Sequence, residues 1–133
     1  MGFQIKKATS DAPADWYVPE WRGNRAQPDD EQIAVEMKPL SAAQLQSAKQ
    51  RDFGGRAQKH IMKASQDHRN AVIMSNVITV EGVSNGDGVL VTNGKELVRA
   101  VSVAEDAGVD DLLSEIYDAL IDRAKLDEGR RPS

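Results

Sequence analysis

The segment from Val109 to Leu126 constrains the fold most, because every local signal in it favours an amphipathic helix. Apolar residues recur there at i, i+3, i+4, i+7, i+8, i+11 and i+15, which places them on one helical face. Acidic residues at positions 110 and 111 suit the N-terminal end of the helix dipole, and Gly129 is predicted to supply a left-handed C-cap. The predicted packing face consists of Leu112, Leu113, Ile116, Tyr117 and Leu120.

The composition bounds the class of protein. A chain of 133 residues with 40% hydrophobic and 5% aromatic residues is expected to form a single domain, residues 1–133, that is rich in helix. The absence of cysteine excludes disulfides and thiolate metal sites. No apolar run is long enough for a signal peptide or a membrane span, so we expect a protein that is soluble in the cytoplasm and does not bind membranes.

Residues 1–30 are predicted to form an extended, partly flexible N-terminal arm. Prolines at positions 13, 19 and 28 oppose a helix there, and Phe3 and Ile5 suggest a short strand. The aromatic side chains have large apolar surfaces to bury, either on the body of the same chain, which we favour, or on a neighbouring copy. The candidate docking aromatics are Trp16, Tyr17 and Trp21.

The middle of the chain alternates between strand and helix signals. Residues 31–38 alternate apolar and polar side chains and end at a proline, which predicts a half-buried strand. Ser41 and Gln44 form a capping box, with Leu40 and Leu45 as its hydrophobic staple, at the start of a helix that extends to about Asp52. A second helix is predicted over about 56–74.

Residues 76–92 contain two β-branched runs separated by a turn-forming segment, which predicts an antiparallel hairpin. Asn93 and Glu96 then form a second capping box before another helix. The predicted fold class is therefore α+β and predominantly helical, with four helices, a hairpin near 76–92 and an extra strand near 31–38. Residues 130–133 are expected to fray.

No arrangement of residues predicts a catalytic site, a metal site or a cofactor. His60 and His68 are eight residues apart, which is about 12 Å along a helix and too far to ligate one ion. The glycines at 86 and 88 are not followed by the Gly-Lys-Ser/Thr of a phosphate loop, and no Gly-x-Ser-x-Gly elbow occurs. We therefore expect a non-enzymatic protein.

Charge is distributed unevenly along the chain. Residues 49–69 hold six basic side chains against two acidic ones, whereas residues 105–128 hold nine acidic against two basic. Such asymmetry can steer one copy onto another or onto a charged partner, although two solvated faces of a monomer would look the same. The candidate interaction surface consists of Lys49, Arg51, Arg56, Lys59, Lys63, Arg69, Asp111, Glu115, Asp118 and Asp122.

The C-terminal half resembles the tail assembly chaperones of long-tailed siphophages, the lambda-like minor tail proteins encoded just before the tape measure protein. The similar stretches are residues 93–98, 112–120 and 126–129, together with residues 18–21 and the short strand before Pro39. The chain departs from the family where Ala124 replaces a frequent serine and Arg130-Arg131 replaces a Lys-Asn pair.

The resemblance implies a bacteriophage or prophage morphogenesis protein that is a homo-oligomer and coats the tape measure protein. It would act in the host cytoplasm and be absent from the mature virion. A longer form made by ribosomal frameshifting would recruit the tail tube protein. Two alternatives are a structural head–tail connector or tail component, and a small regulatory protein that binds nucleic acid through residues 49–69. The net charge of −4 argues against nucleic acid.

Overall fold

The computed structural model describes residues 14–51 and 58–130, with side chains described for 14–48 and 66–126. It confirms an α+β, predominantly helical fold with a small antiparallel sheet. The predicted strand at residues 3–5 and the frayed residues 131–133 lie outside the described ranges. The elements are strands β1 (Asp15–Tyr17), β2 (Ala34–Met37) and β3 (Val77–Glu81), helices α1 (Ala42–Arg51), α2 (Gln58–Asn76), α3 (Gly94–Ser102) and α4 (Asp110–Arg130), and two 3-10 helices (Trp21–Ala26 and Ala107–Val109).

The sheet is antiparallel with the strand order β1-β2-β3, so the strand predicted near 31–38 is its central strand. Val35 on β2 lies between Tyr17 on β1 and Val80 on β3. The side chains of all three point to the helices, where Val35 and Val80 are buried and Tyr17 packs against the core. The sheet therefore joins the N-terminal segment to the middle of the chain.

The hairpin near 76–92 forms as a loosely paired loop rather than as two full strands. Within residues 14–51 and 58–130, one isolated bridge, between Ser84 and Leu90, is made beyond β3, with hydrogen bonds such as that from the Val91 amide to the Val83 carbonyl (2.9 Å). Gly82 is the physical reason that β3 ends where it does. Its φ of +80° turns the chain, and a Cβ at this position would collide with the Gln32 carbonyl.

The core lies between the sheet and the helices, and the predicted packing face of α4 points into it. Leu112, Leu113, Ile116 and Leu120 are buried there, and Tyr117 packs against them. Helix α4 begins one residue later than predicted, because Val109 belongs to a 3-10 turn. It also continues through Gly129 to Arg130, so the predicted C-cap at Gly129 does not form.

Both predicted helix caps are present, with one difference in detail. At α1, the backbone N–H of Gln44 donates to Ser41 Oγ (3.1 Å), and the side-chain oxygen of Gln44 accepts from the backbone N–H of Ser41 (2.9 Å), as a capping box requires. At α3, Asn93 accepts from the Glu96 amide (2.9 Å). The Glu96 carboxylate, however, reaches one residue further back and accepts from the amide and hydroxyl of Thr92.

A buried asparagine links the start of α1 to the end of α2. Asn76 donates its side-chain N–H groups to the carbonyls of Lys38 (3.0 Å) and Pro39 (3.1 Å), and its side-chain oxygen accepts from Gln44 (2.8 Å). Because a buried amide must have its hydrogen bonds satisfied, these contacts fix how β2 turns into α1. Among the described helices, none is long and apolar enough to cross a membrane.

Residues 14–33 are folded onto the body rather than forming an extended arm. They contain β1 and a 3-10 helix in which Arg22 (φ 50°) and Gly23 (φ 73°) adopt left-handed backbone conformations. Those two conformations let the proline-containing chain turn sharply without a regular helix. We refer to residues 14–33 as the N-terminal segment.

Candidate functional site

The basic half of the predicted interaction surface is described only at Arg69, and Arg69 is not on the surface. The side chains of Lys49, Arg51, Arg56, Lys59 and Lys63 lie outside the described residues. Arg69 is 7% exposed and donates two hydrogen bonds to the Asp110 carboxylate (2.9 and 2.7 Å) and one to Ser114 Oγ (3.0 Å). The guanidinium holds the pKa of Asp110 below its usual value. Arg69 therefore links α2 to the start of α4. The prediction that it belongs to an interaction surface is wrong, because its side chain is buried.

The four acidic residues of that surface have two different environments, because three are exposed and the fourth contacts the N-terminal segment. Asp111, Asp118 and Asp122 are exposed. Glu115 instead accepts hydrogen bonds from the Tyr17 hydroxyl (2.5 Å) and from the backbone amides of Glu20 (2.7 Å) and Trp21 (3.0 Å). Partial burial and then the hydrogen bond to Glu115 raise the pKa of Tyr17 to about 12. Glu115 thus anchors the N-terminal segment to α4.

A small cavity of about 300 Å³ lies between α1 and α4 beside the exposed acids. Asp118 and Asp122 border it together with Leu45 and Ala48 of α1. The acidic face of α4 therefore adjoins α1 of the same chain.

Two of the three predicted docking aromatics lie against the core of their own chain. Tyr17 and Trp21 pack against the core, whereas Trp16 is exposed on the outer face of β1. The Trp21 indole donates to the Gly108 carbonyl (3.3 Å), and the Arg22 guanidinium lies 4.4 Å from the indole ring centroid. Two hydrogen bonds from Arg22 to the Asp106 carboxylate (2.7 and 3.1 Å) complete this contact.

Asn24 closes the N-terminal segment on itself. It is buried, its amide N–H groups donate to the carbonyls of Pro19 (2.8 Å) and Ile33 (2.9 Å), and its oxygen accepts from the Ile33 amide (2.6 Å). The sequence did not predict a role for Asn24, and it predicted Glu115 as a surface acid rather than as an anchor, because a single polar residue gives no periodic signal that would distinguish it from a solvated one.

A groove of about 1110 Å³ lies between residues 82–91 and α3. Its deep part is formed by buried Val91, Leu97 and Leu112. Its outer part is formed by aliphatic side chains that solvent reaches: Val89 is 60% exposed, and Leu90 67% and Val103 78%. We refer to this feature as the apolar groove. The remaining apolar side chains that line it are Trp21, Ile33, Val83, Ala100, Val101, Ala104 and Val109.

The charged residues that line the groove are mostly acidic. Asp87, Glu96, Glu105 and Asp106 line it against a single cation, Arg99. The pKa of the Asp106 carboxyl is held below its usual value by hydrogen bonds from Arg22 and from the Gly108 amide. The pKa of the Glu96 carboxyl is likewise lowered by hydrogen bonds from Thr92. The rim of the groove therefore carries negative charge at neutral pH.

The groove has the chemistry of a site for a helix or another apolar segment. A concave apolar surface bounded by polar residues is typical of binding grooves. An amphipathic helix binds such a groove through apolar side chains at i, i+3, i+4 and i+7. The sequence signal for this groove was the apolar pair Val89-Leu90 next to a glycine-rich turn. A hairpin does not require that these two side chains be exposed, so the pair alone did not predict the groove.

The described part of the chain holds no group of three histidine, aspartate or glutamate residues that could bind a metal ion. His68 packs edge-on against the ring of Tyr117 (5.8 Å between centroids), and the side chain of His60 lies outside the described residues. No protein-family model, curated protein or solved structure matches this chain.

Proposed function

We propose that this protein is a non-enzymatic assembly chaperone that covers apolar helices of a longer partner, in the manner of a phage tail assembly chaperone. The observation that carries the proposal is the apolar groove, in which Val89, Leu90 and Val103 are each more than half exposed. A chaperone of this kind needs a preformed apolar surface that binds many similar segments, and the groove supplies one.

The size of the groove suits weak and repeated binding. Fully burying a valine or leucine side chain is worth about 1.5–3 kcal/mol, so three half-exposed side chains offer a few kcal/mol before the entropy cost of association. One groove would therefore bind weakly. Self-association would place many grooves along one partner, and the linked binding events would raise the overall affinity through effective concentration.

The resemblance of residues 93–98, 112–120 and 126–129 to tail assembly chaperones names the partner in this proposal, which is the tape measure protein. The protein would coat it in the host cytoplasm as an oligomer and leave before the virion matures. A frameshifted longer form would bring the tail tube protein to the coated complex.

Co-expression with the tape measure protein from the same genome tests the proposal. We expect the wild-type chain to keep the tape measure protein soluble and to co-purify with it, and Leu90→Ser to lose both properties. Leu126→Ser is the matched control, because Leu126 is 59% exposed on α4 and does not line the groove. Equal co-purification of Leu90→Ser and Leu126→Ser, or no binding by the wild type, would contradict the proposal.

Mass spectrometry of purified virions separates a chaperone from a structural tail component. A chaperone is expected in lysates of infected cells and absent from the particles. Stoichiometric recovery of the chain from particles would instead assign it to the head–tail connector or to the tail.

A further inference from the structure

We infer that the apolar groove selects amphipathic helices whose apolar stripe is flanked on both sides by lysine or arginine. This inference rests on the proposed function and adds the chemical class of the partner. It is carried by the positions of the carboxylates around the groove and by which of them are already engaged within the chain.

The carboxylates lie on two separate segments that line the groove. Asp87 belongs to the turn between the two halves of the 82–91 loop, whereas Glu105 follows the end of α3. Arg99, on α3, is the only basic residue among those that line the groove. A helix bound between the 82–91 loop and α3 would therefore meet an acidic residue from each of the two segments.

Two of the four acidic side chains are already committed to the fold. Asp106 forms two hydrogen bonds with Arg22, and Glu96 accepts from the amide and hydroxyl of Thr92. The carboxylates of Asp87 and Glu105 accept no hydrogen bond from any residue in the described part of the chain, and both residues are exposed. Asp87 and Glu105 are thus available to a ligand.

Long basic side chains fit this arrangement better than short polar ones. Lysine and arginine can lay their methylene groups along apolar surface while the charged end reaches outward. The exposed flanks of Val89 and Val103 provide such surface near the two available carboxylates. A glutamate at the same positions of the ligand would meet like charge on both sides of the groove, so the groove discriminates by repulsion as well as by attraction.

The test uses three labelled synthetic peptides that share one apolar helical stripe and differ only in the flanking residues, which are lysine, glutamine or glutamate. Fluorescence anisotropy with the full chain measures each affinity. We expect binding in the order lysine, glutamine, glutamate, with at least about a tenfold difference between the extremes at low salt. The difference should shrink as ionic strength rises, because exposed charges are screened within about 8 Å at physiological salt.

A double variant assigns the selectivity to the groove. Asp87→Asn with Glu105→Gln should reduce the difference between the lysine and glutamate peptides to about twofold or less. The matched control is Asp29→Asn with Asp67→Asn, which removes two exposed acids that do not line the groove. This control should keep the original ratio of affinities, and loss of selectivity in it would overturn the assignment to Asp87 and Glu105.

The remaining outcomes separate this inference from the proposed function. Equal binding of all three peptides would overturn charge selection and leave the groove as a helix-binding site. Binding of none of them would contradict the proposed function itself. A second copy of the chain is the other possible occupant of the groove, and sedimentation velocity tests for it. If Leu90→Ser dissociates an oligomer that the lysine peptide cannot dissociate, the groove holds a second copy and the inference is wrong.

Discussion

The N-terminal segment and the apolar groove meet at Trp21, which belongs to the first and lines the second, and they use their surfaces in opposite ways. At the first, Glu115 accepts three hydrogen bonds from residues more than ninety positions away in the sequence, and Asn24 makes three more. At the second, aliphatic side chains face solvent and two carboxylates are unengaged among the described residues. Polar groups thus complete the fold where the chain closes on itself, whereas apolar side chains stay exposed at the groove.

Replacement of Asn24 by alanine should have the largest effect on stability. It would leave the carbonyl groups of Pro19 and Ile33 and the Ile33 amide without their partner in a buried site. We expect the free energy of unfolding to fall by about 2–4 kcal/mol, as measured by urea denaturation.

Asn85→Ala is the control for this prediction, because Asn85 makes two hydrogen bonds to the backbone of the loop beside the groove. Since that loop is largely exposed, water can replace these bonds, and we expect a loss of about 1 kcal/mol or less. Equal losses for Asn24→Ala and Asn85→Ala would remove the contrast between the two regions.

Removal of the Glu115 carboxylate should have the next largest effect. Glu115→Ala leaves three donors of the N-terminal segment without an acceptor, and we expect a loss of about 1.5–3 kcal/mol in urea denaturation. Glu115→Gln keeps one acceptor oxygen and should lose less. Glu105→Ala, at the edge of the groove, should change the free energy of unfolding by no more than about 0.5 kcal/mol. A Glu115→Ala protein as stable as Glu105→Ala would show that the N-terminal segment is held mainly by its aromatic contacts.

The third prediction concerns alkaline pH. The pKa of Tyr17 is raised from its ordinary value of 10.0 to about 12, so the folded protein holds this proton more tightly than the unfolded chain does. The contribution of Tyr17 is therefore fully present below pH 10 and is lost as the pH rises toward 12. Between pH 9 and pH 11 the melting temperature of the wild type should fall more than that of Tyr17→Phe. The difference absorbance titration of the two proteins should place the Tyr17 phenol above pH 11, and a midpoint near 10 would contradict the assignment.

The sequence predicted the features that depend on repeated or adjacent signals. The amphipathic spacing over 109–126 predicted α4 and its packing face, and the alternation over 31–38 predicted β2. Ser41 with Gln44 and Asn93 with Glu96 predicted two helix starts, because a cap is determined by residues within one turn. In each case the interacting residues lie within a few positions of one another.

The sequence did not predict the features that depend on contacts across the chain. Arg69 looked like part of a basic surface, but Asp110, forty-one positions later, buries it. Glu115 looked like one acid on a solvated helix face, but the N-terminal segment covers it. Gly82 ends β3 early, and the loop beyond it is paired by the Ser84–Leu90 bridge rather than by a full strand, so the side chains of Val89 and Leu90 stay exposed at the groove. Local patterns contain no information on which distant residue will meet a given side chain.

The smallest expected effect on stability is at the groove. Leu90→Ser and Val103→Ser remove side chains that are 67% and 78% exposed, so little apolar area returns to water on unfolding. We expect changes in the free energy of unfolding within about 0.5 kcal/mol. The same two variants should weaken binding of the lysine-flanked peptide at least about tenfold, which corresponds to about 1.4 kcal/mol. A stability loss of several kcal/mol would instead show that residues 82–91 close over the groove, and that Leu90 and Val103 belong to the core.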